Sequence, residues 1–158
     1  MNVKYLFPTR FKMWGWIILI PSAILGFADL FAEWQPAFFD WTVPALYNNE
    51  ILGETTYFGM VDNNVLNEIF GILIIVGGVL VAFSRLKNED EFITKIRLES
   101  LVWATYVNYI VLLLAFIFVY DMGFLWVMIF NMFTILLFFI IRFNWQLQKL
   151  KLNARHEE

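Results

Sequence analysis

Four long blocks of apolar residues dominate the sequence, and each is close to the length that crosses a lipid bilayer. They cover residues 14–30, 66–83, 101–119 and 124–141. A membrane-spanning helix needs about 20 mainly apolar residues, because a helix rises about 1.5 Å per residue through a hydrocarbon core about 30 Å thick. The blocks therefore predict an all-α fold with four transmembrane helices in an antiparallel bundle.

Composition and charge agree with a membrane setting. The chain of 158 residues is 61% hydrophobic and only 16% charged, well above the half-apolar composition of soluble domains. Its mean hydropathy is +0.67. We expect a single domain whose partner is the lipid bilayer. The net charge of −3 gives no reason to expect a nucleic-acid partner.

The basic residues predict the orientation. All 11 of them precede the first block, lie between the second and third, or follow the fourth: Lys4, Arg10, Lys12, Arg85, Lys87, Lys95, Arg97, Arg142, Lys149, Lys151 and Arg155. Because loops rich in Lys and Arg stay in the cytoplasm, we expect both termini, the loop 84–100 and the tail 142–158 there. The loop 32–65 is then extracytoplasmic, and the expected location is the inner (plasma) membrane.

The first block has two interpretations. A basic start before an apolar stretch is also typical of a secretory signal peptide. Glu33 and Trp34 follow Ala32, however, so there is no cleavage pattern of small residues, and we interpret the block as an uncleaved span. Thr9 is expected to cap its helix, and Pro21 is expected to kink it.

The outer loop is rich in aromatic residues. Short extended segments are predicted around residues 41–46 and 55–61, from their β-branched and aromatic content. We expect this loop to fold onto the bundle or the lipid headgroups.

The third helix is predicted to begin before its apolar block and to turn tightly into the fourth. Asn88 and Glu91 have the spacing of a capping box, which predicts a helix over residues 89–119. The tight turn is expected at residues 120–123. Phe92, Ile93 and Ile96 repeat with helical spacing on an edge that we expect to be solvated and to touch lipid, with a protein docking site as the alternative.

Small residues in the second block share one stripe. Gly71, Gly78 and Ala82 are spaced by seven and four residues, and small residues let helices approach closely in a membrane. The stripe predicts packing against span one or three, with a dimerisation face as the alternative.

Residues suited to catalysis are scarce. There is no Cys, and His156, in the tail, is the only His. Thiol chemistry, bis-histidine haem within the bundle and zinc sites with imidazole ligands are therefore not expected. No hydrolase, metalloprotease or phosphate-loop motif occurs. We predict a protein that is not an enzyme, without catalytic residues, cofactor or metal.

Two acidic residues near the outer ends of spans form a candidate ion site. Asp29 ends the first block, and Glu68 lies at the start of the second. If they are close, the pair could hold a proton or a hard cation. The alternative is that both are solvated at the interface, with Glu68 favoured by the helix dipole.

Deep polar residues predict contacts between the last two spans. Asn108 and Thr134 are expected at nearly the same depth, with Asn131 one turn away. An interhelical hydrogen bond is the first interpretation, and a polar substrate site is the second. Arg142, at the inner end of span four, is expected to extend to the headgroups.

Three stretches carry a family resemblance. Residues 6–12 (LFPTRFK), 88–93 (NEDEFI) and 130–135 (FNMFTI) resemble those of uncharacterised four-span membrane proteins from Bacteroidota-type bacteria. The resemblance implies a bacterial inner-membrane setting and no site residues.

Two functions are compatible with these features. The first is a non-enzymatic membrane component that senses the envelope, regulates, or holds a cytoplasmic or membrane protein partner. The second is a small ion-coupled transporter that works as a homo-oligomer and uses Asp29, Glu68, Asn108 and Asn131.

Overall fold

The computed structural model describes residues 5–32, 36–49, 55–87 and 90–156. Within these ranges the elements, in chain order, are α1 (Arg10–Ala32), a 3-10 helix (Ala37–Phe39), β1 (Asp40–Asn49), β2 (Thr55–Asn64), α2 (Leu66–Ala82), α3 (Glu91–Phe118) and α4 (Met122–His156). The structure is mostly helical, as predicted. The sheet corrects the all-α expectation, because the two segments predicted to be extended pair with each other.

Three of the helices are long and apolar enough to cross a membrane: α1, α3 and α4. The fourth, α2, is a shorter apolar helix of 17 residues. Large apolar side chains such as Leu113, Ile117 and Phe118 lie on the surface of α3. Contiguous apolar surface of this kind is unfavourable in water, so the helices indicate a membrane protein.

The chain divides into two compact units. The helical unit comprises Met1–Leu19 and Ile74–Glu158, and the hairpin unit comprises Ile20–Leu73. The helical unit has a core that includes Leu19, Val81, Ala82, Ile93, Ile96, Ala104, Phe139, Ile140, Phe143 and Leu147. Three phenylalanines stack within it, with ring centroids 5.6 Å apart between Phe83 and Phe139 and 5.7 Å apart between Phe139 and Phe143.

Helices α3 and α4 form the predicted antiparallel hairpin. Asp121 makes the turn with φ of 55°, a left-handed conformation that Asp tolerates better than most residues. The Phe124 amide then donates to the Asp121 oxygen at 3.0 Å. Helix α4 continues through the predicted tail to His156, because its sequence after residue 141 contains no Gly or Pro to end it.

Helix α3 begins at a different cap from the predicted one. The Asp90 carboxylate accepts a hydrogen bond from the Ile93 amide at 2.8 Å, so Asp90 is the N-cap and Glu91 the first helical residue. Asn88 lies outside the described residues. The capping-box prediction is wrong because Asp90 stands three residues before an amide that its side chain satisfies directly.

Polar side chains join the two strands of the hairpin unit at the end next to α2. Thr42 Oγ1 donates to Asp62 Oδ1 at 2.5 Å, and Asn64 Nδ2 donates to Asp40 Oδ1 at 2.6 Å. The Asn64 side-chain oxygen also accepts from the Leu66 amide at 3.3 Å, at the start of α2. The antiparallel register runs from Asp40 opposite Asn64 to Asn49 opposite Thr55.

Candidate functional site

The most organised polar site of the helical unit is centred on Arg97 of α3. Its side chain is buried, and its guanidinium donates to the backbone oxygens of Ala82 at 2.8 Å and Ser84 at 3.3 Å. The guanidinium carbon lies 4.6 Å from the Phe143 ring centroid. Carbonyls at a helix C-terminus lack helical donors, so Arg97 satisfies the end of α2 while packing on α4.

This burial corrects the expectation that the edge carrying Phe92, Ile93 and Ile96 is solvated and touches lipid. Ile93, Ile96 and Arg97 are buried, whereas Phe92 is exposed. Only one side of this helical turn is therefore available to solvent or lipid. The helical spacing of Ile93 and Ile96 marks the face that is buried, but it was interpreted as solvated, and a basic residue was not expected on it.

The segment before α1 pairs with the connection after α2. The Phe7 amide donates to the Phe83 oxygen, and the Arg85 amide donates to the Phe7 oxygen, both at 2.9 Å. Phe7 and Ser84 thereby form an isolated parallel bridge. Lys12 Nζ also donates to Asn144 Oδ1 at 3.4 Å, so the N-terminal segment is tied to α4 as well.

A second arginine lies at the surface of the α3–α4 hairpin. The guanidinium carbon of Arg142 is 5.0 Å from the Trp103 ring centroid and 5.3 Å from that of Trp145. Arg142 is half-buried and both indoles are partly exposed. Arg142 and Trp145 have a spacing that puts them on one helix face, but nothing in the sequence pairs them with Trp103.

The deep polar residues of α3 and α4 meet as the depth count predicted. Thr134 Oγ1 donates to Asn108 Oδ1 at 2.5 Å and lies 3.2 Å from the backbone oxygen of Asn131. Asn108 is buried. These three residues therefore form one contact between the helices. The geometry fits the interhelical hydrogen bond, which was the first of the two interpretations.

The small residues of α2 have different neighbours. A Cβ on Gly78 would meet Leu136 Cδ1 of α4 at 3.4 Å, so Gly78 faces the fourth block and not span one or three as predicted. Ala82 is fully buried in the core, so both residues pack within the chain. Gly71 belongs to the hairpin unit. Two glycines outside the predicted stripe lie very close to a neighbouring backbone. A Cβ added to Gly15 would lie 2.8 Å from the Val81 nitrogen, and a Cβ added to Gly77 would lie 2.8 Å from the Leu19 nitrogen.

The two acidic candidates differ in their surroundings. Glu68 is exposed in the first turn of α2 and accepts a hydrogen bond from Asn63 Nδ2 at 2.8 Å, as expected of a solvated anion near a helix N-terminus. Asp29 is 7% exposed, and its Oδ1 has no hydrogen-bond partner within the part of the chain that the structure describes. No hydrogen bond joins the two residues there.

In residues 5–32, 36–49, 55–87 and 90–156, no group of three or more His, Cys, Asp or Glu side chains is arranged to hold a metal ion. In the described part of the helical unit, polar side chains converge at Arg97 with two carbonyls, at Asn108 with Thr134, and at Arg142 with two indoles, among others. The sites at Arg97 and Arg142 were not predicted from the sequence, since each depends on a residue from another helix or connection.

Comparisons with known proteins gave no relative. No protein-family model, no curated protein and no solved structure matches this chain.

Proposed function

We propose that this chain is a non-enzymatic integral membrane protein that binds a protein partner through its cytoplasmic face, as a sensing, regulatory or scaffold component. In this proposal α2 also crosses the membrane, which makes four spans, and both termini lie in the cytoplasm of a bacterial cell. Support for the orientation comes from the position of all 11 basic residues on one side of the spans.

The observation that carries the proposal is the length of α4. The helix runs for 35 residues, from Met122 to His156, and about 20 residues suffice to cross the bilayer. The part beyond Arg142 therefore extends about 20 Å from the headgroups, at about 1.5 Å per residue. A projecting, continuous helix is suited to contact another protein.

The projecting part carries both apolar and basic surface. Leu150 and Leu152 are exposed, as are Lys149 and Lys151. Apolar side chains in water favour a partner that covers them, and the lysines favour an acidic partner surface.

The base of this helix is held firmly within the helical unit. Arg97 packs on Phe143, Lys12 reaches Asn144, and Leu147 belongs to the core. A partner bound further along α4 would therefore be coupled to the N-terminal segment, the end of α2 and α3 together. Such coupling is what a sensing or regulatory role requires.

The test is site-specific photocrosslinking in the native membrane. A photoreactive amino acid replaces Leu152 in the tagged chain at native expression, and the matched control carries it at Leu113, which is also exposed but belongs to the apolar part of α3. We expect a reproducible protein adduct at Leu152 that the control lacks, identified by mass spectrometry.

Other results would count against the proposal. If Leu152 yields no adduct beyond those of Leu113, the projecting helix has no protein partner. Adducts only with a second copy of the chain would point to a homo-oligomer that works alone.

A second function, ion-coupled transport, is favoured by one observation. Asp29 is buried with an unpartnered oxygen among the described residues, and the sequence from residue 13 to residue 84 contains no Lys, Arg or His that could neutralise it. A buried carboxylate without a polar or charged partner is costly, and binding a cation would offset that cost. Ionisable residues within membrane segments often lie on ion pathways.

The transport alternative is tested by flux in proteoliposomes. Proton uptake is followed with a pH-sensitive dye and sodium uptake with radioactive ²²Na⁺, for the wild type, Asp29→Asn and the control Glu68→Gln. The alternative predicts a flux that Asp29→Asn abolishes in a protein that still folds. Equal flux in all three proteins, or none in the wild type, would remove proton and sodium coupling.

A further inference from the structure

The surroundings of Arg142 leave its hydrogen-bonding capacity unused within the described residues. Its guanidinium lies over the rings of Trp103 and Trp145, which are cation–π contacts and supply no oxygen or nitrogen acceptor. Among the described residues Arg142 forms no ion pair. Arg97 differs in this respect, since it donates to two carbonyl oxygens.

A guanidinium fixed in this way is suited to an oxyanion. It carries five N–H donors in a rigid fork that matches two oxygens of a phosphate or carboxylate. The indole N–H groups of Trp103 and Trp145 also have no acceptor within the part of the chain that the structure describes. Cationic and neutral donors thus lie together with no acceptor of their own in that part.

The position of Arg142 along α4 identifies the oxyanion. Residues 122–141 contain no charged side chain, and at about 1.5 Å per residue they span about 30 Å, the thickness of the hydrocarbon core. Arg142 is therefore at the level of the headgroups, where Trp residues are also enriched. The oxyanions that every phospholipid presents at this depth are phosphates.

We propose that Trp103, Arg142 and Trp145 form a binding site for the phosphate group of a membrane phospholipid. The guanidinium binds two phosphate oxygens, and the indoles hold it in place and contact the glycerol region. The exposed apolar side chains of α3 next to the site, Tyr106 and Ile110 among them, provide a surface for the acyl chains. Lys149, two turns further along α4 and exposed, adds a second positive charge on the same side.

This inference goes beyond the proposed function and does not depend on it. A chain with no protein partner would still bind lipid here, and a chain with a partner would still need its hairpin anchored at the interface.

Native mass spectrometry of the full-length protein in detergent tests the site. The probes are phosphatidylglycerol, diacylglycerol, which has the same chains without phosphate, and inorganic phosphate. We expect phosphatidylglycerol to remain bound while diacylglycerol is lost. In Arg142→Lys we expect retention to fall about tenfold, because lysine keeps the charge but loses the planar fork and much of the contact with the indoles.

The matched control is Arg10→Lys, an exposed arginine of α1 with no aromatic contact in the described residues, which should retain lipid as the wild type does. Equal retention by Arg142→Lys and the wild type would overturn the proposal, and so would equal retention of diacylglycerol. Displacement of the lipid by millimolar inorganic phosphate would reassign the site to the free ion. If Arg142→Lys does not fold, Trp103→Leu and the comparison of the two lipids on the wild type decide the question.

Discussion

The guanidinium of Arg97 lies 4.6 Å from the centre of the Phe143 ring, and this contact joins α3 to α4. Arg97 also donates to the carbonyl oxygens of Ala82, which ends α2, and of Ser84 just after it. A residue that the sequence assigns to a polar loop is therefore a structural centre of the helical unit. Its removal should affect the whole unit.

Replacement of Arg97 by Ala should destabilise the protein strongly. The change leaves the oxygens of Ala82 and Ser84 buried without these donors and removes the contact with Phe143, for a loss of about 3 kcal/mol. Unfolding by SDS in mixed micelles measures the difference. Arg10→Ala, at an exposed site, is the control and should change the midpoint little. Similar midpoints for both variants would show that Arg97 does not have this structural role.

Two glycines should tolerate no side chain, whereas a third should. At Gly15 and Gly77 an added Cβ would lie 2.8 Å from backbone nitrogens, so Ala forces the backbones apart and costs about 1–3 kcal/mol. Gly78→Ala meets the flexible end of Leu136 at 3.4 Å, and the higher helix propensity of Ala offsets that contact. Thermal unfolding should therefore separate Gly15→Ala and Gly77→Ala, both less stable, from Gly78→Ala. A loss of stability as large in Gly78→Ala would contradict this assignment.

The hydrogen bond between Thr134 and Asn108 should stabilise the α3–α4 hairpin modestly. Thr134→Val keeps the shape but removes the donor, and interhelical hydrogen bonds of this kind contribute about 0.6–2 kcal/mol. Thr105→Val is a matched control, since Thr105 Oγ1 donates within its own helix to the Leu101 oxygen at 2.9 Å. Unfolding in SDS mixed micelles should show a larger loss for Thr134→Val. The reverse order would indicate that Asn108 is satisfied by another group.

The proposed topology predicts a pattern of cysteine accessibility. The chain has no Cys, so single cysteines can be placed at the exposed residues Met60, Lys87, Tyr120 and Lys151 without background. In intact cells a maleimide that cannot cross the membrane should label positions 60 and 120, and positions 87 and 151 should react only after lysis. If α2 does not cross, position 87 becomes accessible and position 120 protected, which distinguishes three spans from four.

The sequence was sufficient to predict the features that depend on residues close together in the chain. The constant rise of a helix and the short turn at residues 120–123 together bring Asn108 and Thr134 to the same depth, so counting residues was enough. The strands were found by their β-branched and aromatic residues, because these favour a pleated surface. Glu68 lies at the start of α2, where the helix dipole favours it.

The remaining contacts depend on which helices are neighbours in the fold. The periodicity of apolar or small residues along one helix does not identify its neighbours. Gly77 and Gly78 are adjacent, yet one faces the backbone at Leu19 and the other a side chain of α4. Of these two glycines, the stripe predicted from spacing included Gly78 and left out Gly77. The partners of Arg97 and Arg142 come from elsewhere in the chain, so charge alone suggested solvent and headgroups and gave no sign of the carbonyls or the second indole.

Helix α4 is continuous from Met122 to His156, so its two ends tilt together. Because no break separates the apolar part from the part that ends at His156, a change of about 10° in the tilt of the helix displaces its far end by about 4 Å over the 20 Å beyond Arg142. Changes in bilayer thickness alter helix tilt. In the proposed topology, a change in the thickness of the membrane would therefore move the far end of α4.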